Sequence, residues 1–291
     1  MKKFRIAKQR AAKPVRRRHI PDDRMDKSAL GAIAALIREI WTYRSHIAVV
    51  FSGDFRSSYR GTVLGIFWNF ILPLLPVSVY IMLVNLKVFP QYEGLEPAVY
   101  ISLNVSLWLL FTGVITRPML MVRQRTQDAM KTAIPLTAAI SASFGQLCFD
   151  TLVRLALVVT LVVAFGQVPQ PHLPYLALTV MTGLVFCFSL GLILSIFDMI
   201  YPDIDRITTI ILQYGIFLSG VIFPVSTLGP LSVLENYNPF NVFIKSARDF
   251  LFFGVHADMR ALFIWAGVAA LLALIAARFF YVMEHRIREL V

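Results

Sequence analysis

Pro174-Tyr-Leu-Ala-Leu-Thr-Val-Met-Thr-Gly-Leu-Val-Phe-Cys-Phe-Ser-Leu-Gly-Leu-Ile-Leu-Ser-Ile-Phe197 contains no charged side chain. A helix needs about 20 mainly apolar residues to cross the hydrocarbon core of a bilayer, and this stretch is long enough. Residues 61–86, 98–116, 141–165, 207–223 and 261–282 read the same way, so six spans are predicted. The first begins at Gly61 and contains Trp68, Pro73 and Pro76. Prolines are tolerated inside a span where neighbouring helices and ordered waters satisfy the freed backbone groups. Composition agrees: of 291 residues, 57% are hydrophobic and 15% charged, and the mean hydropathy is +0.68. A soluble domain of this length carries about 25% charged residues. The expected fold class is an all-α integral membrane protein.

Charge sets the expected orientation. With the N-terminus inside, 23 of the 28 Lys and Arg residues lie in the inner segments 1–60, 117–140, 198–206 and 278–291. The outer loops hold Lys87, Lys245, Arg248 and Arg260, and Arg154 lies within the third span. Such a bias places both termini in the cytoplasm by the positive-inside rule. It also accounts for the net charge of +11 without nucleic acid, because the basic residues sit at membrane edges.

Two segments stand apart from the spans. Residues 1–27 form a basic tail, expected to be mobile and able to touch anionic headgroups. From Ser28, a candidate N-cap, Leu30, Ile33, Ile37, Ile40, Trp41, Ile47 and Phe51 recur at helical spacing, with Arg38, Glu39 and His46 on other faces. An amphipathic helix over 28–51, followed by a connector to residue 60, is expected to lie in the cytoplasmic membrane interface. Between the fifth and sixth spans, residues 224–260 are too polar to cross and too apolar for a free loop. Short helices that dip into the outer leaflet and return fit this pattern. Irregular backbone at that depth must be buried in protein or line a watery cavity, which puts the segment beside a pathway.

Motifs for catalysis are absent. The sequence has no Gly-x-x-x-x-Gly-Lys-Ser/Thr loop, no His-Glu-x-x-His and no Cys-x-x-Cys. His19, His46, His172, His256 and His285 are scattered and form no ligand set, and Cys148 and Cys187 read as small apolar residues. Asp150 and Arg154 are a candidate intramembrane ion pair, spaced i, i+4 on the third span, and are better read as a self-neutralising pair than as a relay. Ion-coupled transport would need more buried carboxylates, so any energy is expected from a partner ATPase. ATP and its magnesium would then be bound by that partner, and this chain is expected to carry no cofactor and no metal.

Aromatic residues cluster in the first and fifth spans: Phe67, Trp68, Phe70 and Tyr80, then Tyr214, Phe217 and Phe223. Interfacial anchoring explains some of them. The functional reading is a wall that stacks on the CH faces of sugar rings, with Phe67, Trp68, Tyr214 and Phe217 as channel residues. Phe67 and Trp68 lie about 100° apart on an ideal helix, so at least one of the four is expected to pack elsewhere. Gly61-Thr-Val-Leu-Gly65 and the pair Gly215 and Ser219 fit a small-residue helix-packing pattern.

Asp54-Phe-Arg-Ser-Ser-Tyr-Arg60-Gly-Thr-Val-Leu-Gly65-Ile-Phe-Trp68, running into Leu72-Pro73-Leu74, resembles the start of the first span in ABC-2 type permeases that export O-antigen, capsule and teichoic acid. Tyr201-Pro-Asp203-Ile-Asp205-Arg206 resembles their loop before the fifth span. Ser219-Gly-Val-Ile-Phe223-Pro224, Tyr237-Asn238-Pro239-Phe240, Ala247-Arg248-Asp249 and Phe253-Gly254 resemble their outer re-entrant region. The closing Glu284-x-x-Ile287 also agrees, and the likeness covers roughly residues 30–290. The resemblance implies a homodimer bound to two copies of an ATPase subunit in a bacterial inner membrane. It implies a lipid-linked polysaccharide driven outward through a channel lined by the first and fifth spans. Phe223, Pro224, Tyr237, Asn238 and Pro239 would form the outer gate. Arg123, Gln124, Arg125 and Asp128, with the interface helix, would dock on the ATPase. Two alternatives stay open: an ABC-2 exporter of a small lipid or drug, and a membrane enzyme acting on lipid-linked sugar through Asp198, Asp203 and Asp205.

Overall fold

The computed structural model describes residues 27–58, 63, 65–86, 94–128, 136–227, 229–254 and 259–290. All regular elements among them are helical: α1 (Ala29–Thr42), α2 (Arg44–Ser58), α3 (Trp68–Asn85), α4 (Pro97–Asp128), α5 (Leu136–Ala164), α6 (Leu173–Ile200), α7 (Asp203–Leu218), α8 (Leu234–Tyr237), α9 (Pro239–Phe252) and α10 (Met259–Leu290). Short 3-10 turns cover 65–67, 225–227 and 229–233. Four helices are long and apolar enough to cross a bilayer: α4, α5, α6 and α10. At 1.5 Å per residue, α3 reaches about 27 Å and α7 about 24 Å, short of the ~30 Å core.

The helices depart from the sequence reading in three places. The single amphipathic helix expected over 28–51 is two helices, α1 and α2, broken at Tyr43. Ser28 does cap α1, its hydroxyl accepting from the Gly31 N–H at 3.2 Å. The span expected over 98–116 is the first part of a longer helix, α4, which passes through Pro118 without ending and runs on to Asp128. The fifth span is helical only to Leu218, and residues 219–223 turn away from the helix axis.

α4 is the centre of the bundle. Of its most apolar 18-residue window 78% is buried, against 22% in α5 and in α10. Tyr100, Phe111 and Ile115 are almost fully buried there, packed with Phe243 of α9 and Phe186 of α6. α6 approaches α4 so closely that a Cβ on Gly191 would sit 2.7 Å from the Ile115 carbonyl oxygen. Small residues allow such backbone contact between apolar helices, where dispersion replaces the hydrophobic effect as the driving force.

One end of the bundle is held by carboxylates placed at helix starts, where unpaired N–H groups need acceptors and the helix dipole favours negative charge. The fully buried Glu284 of α10 accepts from the Leu136 N–H at the start of α5, at 2.9 Å. Glu39 of α1 accepts from the Thr137 hydroxyl at 3.1 Å. Asp198, near the end of α6, accepts from the Asp205 N–H in the first turn of α7 at 3.1 Å. At the opposite end, the His172 N–H donates to the Phe250 carbonyl at 2.8 Å, joining α6 to α9.

Candidate functional site

The segment after α7 is bolted to the start of α4 by buried polar groups. Gly220 takes a positive φ of +64°, which favours glycine, and its carbonyl accepts from the Tyr100 hydroxyl at 2.9 Å. The Asn104 amide donates to the Gly220 and Val221 carbonyls, each at 3.2 Å. Arg248 of α9 is 3% exposed; it lies 4.9 Å above the Tyr100 ring and pairs with Asp249 at 3.2 Å. A cavity of about 170 Å³ opens between these groups, lined also by Asn241, Lys245 and Glu235, the last two ion-paired.

Gly220 is fixed twice over. Beyond its φ, a Cβ at this position would meet Asn241 Oδ1 at 2.2 Å. Gly220→Ala is therefore expected to destabilise the fold by more than about 1 kcal/mol, the left-handed conformation alone costing that much. A thermal melt in detergent checks this, with Gly267→Ala as the control, since a Cβ there meets open space.

Asn238 joins three elements. Its φ of −83° and ψ of 112° are extended, as expected for a residue before proline. Its side-chain oxygen, Oδ1, caps α9 by accepting from the Phe240 N–H at 3.0 Å, with Pro239 at the first helical position. Its amide donates to the Leu218 carbonyl at 2.8 Å and to the Ser219 hydroxyl at 3.1 Å. The end of α7 is thus pinned to the start of α9. Of the other residues expected to form an outer gate, Phe223 and Pro224 are half-buried, while Tyr237 is 73% exposed.

The four aromatics expected to line a channel are all exposed: Phe67 64%, Trp68 41%, Tyr214 62% and Phe217 44%. Phe67 belongs to the 3-10 turn and Trp68 opens α3, so they do not share an ideal helix. Ile207, Ile210, Ile211 and Leu218 extend the apolar surface of α7. Gly215 instead packs on α4, 3.2 Å from the Trp108 ring by its Cβ position. Gly61 lies outside the described residues, and so does its packing pattern.

At the other end, Arg123 of α4 pairs with Asp205 of α7 at 3.2 Å, both about half exposed, and Gln124 is exposed. The side chains of Arg125 and Asp128 lie outside the described residues. Asp203 pairs with Arg206 at 3.7 Å. Inside α5, Asp150 accepts from Gln146 at 2.9 Å, and the buried Arg154 Nη1 has no hydrogen-bond partner among the described residues. Tyr100, Asn104 and Asn241 were not singled out by sequence. Asn104 was the available signal, as the sole amide in the run 98–116.

Comparison with known proteins agrees with this architecture. Residues 45–252 match the model of the ABC-2 type transporter family. The chain is 27% identical over 202 residues to the O-antigen export system permease protein RfbA of Myxococcus xanthus, covering 66% of this chain and 74% of that protein. The family match takes in α2 to α9, including the α4–α7 contact and the segment after α7 as far as residue 252. This membrane-spanning chain belongs to the ABC-2 type transporter family, and is a transporter subunit that works with an ATPase partner rather than an enzyme.

Proposed function

We propose that this chain is the permease through which a lipid-linked polysaccharide leaves the cytoplasm, as a homodimer with two ATPase subunits in a bacterial inner membrane. The observation that carries the reading is its likeness to an O-antigen export permease over two-thirds of its length. The exposed aromatic surfaces of α3 and α7 support it, because a pathway between two copies needs apolar faces that one copy leaves uncovered. In this reading α3 and α7 complete six spans, and α8 and α9 form a re-entrant outer segment. The carboxylate-capped end, with Arg123 and Asp205, faces the cytoplasm, as the basic bias requires.

A long glycan must slide, so its contacts need to be tolerant of sequence. Flat aromatic faces meet sugar CH groups without fixed hydrogen bonds, much as stacking tolerates any base along a single strand. The double variant Tyr214→Ala, Phe217→Ala is expected to lower surface glycan by tenfold or more at normal protein abundance. Surface glycan is measured by antibody or lectin binding and protein by immunoblot. Normal export at normal abundance would remove these two side chains from the pathway.

A further inference from the structure

An apolar cavity of about 280 Å³ lies between α1 and the bundle, at the carboxylate-capped end. Ile33, Ile37 and Ile40 of α1 form one wall, and Ile140, Leu192 and Ala273 from α5, α6 and α10 face them. Three hydroxyls also line it, and each is already engaged. Ser141 donates to the Thr137 carbonyl at 2.7 Å, Ser189 to the Val185 carbonyl at 2.7 Å, and Thr137 to Glu39 at 3.1 Å. The walls therefore offer a bound molecule little beyond dispersion, and water would lose hydrogen bonds there. Hydrocarbon is the matching occupant.

Depth and charge narrow the class. On α10 the cavity runs from Ala273 to Phe280, and Ala273 lies eleven residues before the capping Glu284, about 16 Å along the helix. That is close to half of the ~30 Å hydrocarbon core, the depth of one leaflet. Cations flank α1. Lys27 reaches the Tyr281 hydroxyl at 2.8 Å, one residue from the cavity-lining Phe280. Arg44 lies 4.7 Å above the exposed Trp41 ring, and Arg38 is exposed between them. Glu39, the acid of α1, is turned to Thr137. An anionic headgroup fits this arrangement, since Lys and Arg near the membrane surface attract anionic lipid.

We propose that this cavity is a binding site for one acyl chain of an anionic phospholipid of the cytoplasmic leaflet, with its headgroup beside Lys27. The leaflet rests on the orientation given above, but the site depends on the bilayer-spanning fold and not on the exported cargo. Its test is therefore separate from any glycan assay.

The chain, purified with its ATPase partner, is placed in phosphatidylglycerol nanodiscs holding a trace of phosphatidylglycerol with a diazirine midway along one acyl chain. After irradiation, adducts are mapped by mass spectrometry. Adducts at Ile33, Leu192 and Ala273 are expected at several times the yield at Leu271 and Val159, which are exposed on the bundle's flank. Ala273→Leu or Ser189→Leu, each filling the cavity, should cut lining adducts at least fivefold and leave those at Leu271 unchanged, with an unaltered size-exclusion profile. Should both variants misfold, the wild-type yields decide. Lys27→Gln should abolish the preference for the phosphatidylglycerol probe over a phosphatidylcholine probe. Lining yields no higher than flank yields would overturn the site. Equal labelling by both headgroups in the wild type would overturn its anionic selectivity. Labelling only by a polyprenyl phosphate probe would give the cavity to the substrate's carrier and overturn the phospholipid assignment.

Discussion

Arg248→Ala is expected to cost about 3–5 kcal/mol, the usual penalty for removing one partner of a buried ion pair. Arg248 and Asp249 are 3% and 5% exposed, so neither charge is screened by water. Removing the guanidinium takes away the 3.2 Å contact with Asp249 and the cation above Tyr100. Tyr100 in turn holds the Gly220 carbonyl, so the loss spreads to the turn after α7. Most of a small membrane protein's margin of stability is at stake. The expected outcome is a large fall in folded yield and melting temperature. The double variant Arg248→Met, Asp249→Asn should recover part of the loss, because the remaining carboxylate is then gone. A melting curve for Arg248→Ala that matches wild type would show that the outer segment is held by other contacts.

The second large effect is on coupling, and there stability is beside the point. Arg123 and Asp205 are 50% and 45% exposed, and a surface pair of that kind contributes only about 0–1 kcal/mol. Its importance is its position. It ties the end of α4, the segment proposed to dock on the ATPase, to the first turn of α7, the helix proposed to line the pathway. Asp198 holds the same turn from behind through the Asp205 N–H. Arg123→Glu together with Arg125→Glu is expected to leave insertion and abundance near normal, to leave ATP hydrolysis within a fewfold of wild type, and to lower export by tenfold or more. The exchange Arg123→Asp, Asp205→Arg separates two roles. Recovery of export identifies the tie between α4 and α7 as the working contact. Continued loss assigns Arg123 to the ATPase surface. Normal export in the doubly reversed variant would show that these charges serve topology alone.

Much of the fold was legible because membrane solvent imposes one rule. Backbone groups in hydrocarbon must be satisfied within the segment, so long apolar runs become helices. The runs 98–116, 174–197 and 261–282 all lie within observed helices, 141–165 overruns α5 by one residue, and Ser28 caps α1 as its residue type suggests. Asn238-Pro239 was legible for a local reason too, since the amide cap and the restricted proline act within a few residues. Tertiary partners were not legible. Nothing in the spacing of Glu284 or Glu39 says that both converge on the start of α5, because that contact depends on how helices far apart in sequence pack. The contact of Arg248 with the Tyr100 ring escaped for the same reason. The break at Tyr43 lay inside a continuous apolar period, and periodicity reports faces rather than breaks. Pro118 worked the other way. It suggests a boundary, yet α4 passes through it and runs on to Asp128.

In the proposed function this chain carries a lipid-linked polysaccharide across the membrane with an ATPase partner. The most direct test is reconstitution of the chain with its ATPase subunit into sealed proteoliposomes, loaded on the ATPase side with lipid-linked glycan from the same organism. The glycan reaching the opposite face is measured with a glycan-cleaving enzyme that cannot cross the bilayer. The account predicts ATP-dependent appearance of cleavable glycan, faster hydrolysis when the glycan is present, and loss of the cleavable fraction in the Tyr214→Ala, Phe217→Ala variant. Hydrolysis unaffected by the glycan, with no cleavable fraction above an ATP-free control while a small lipid or drug is moved instead, would contradict it.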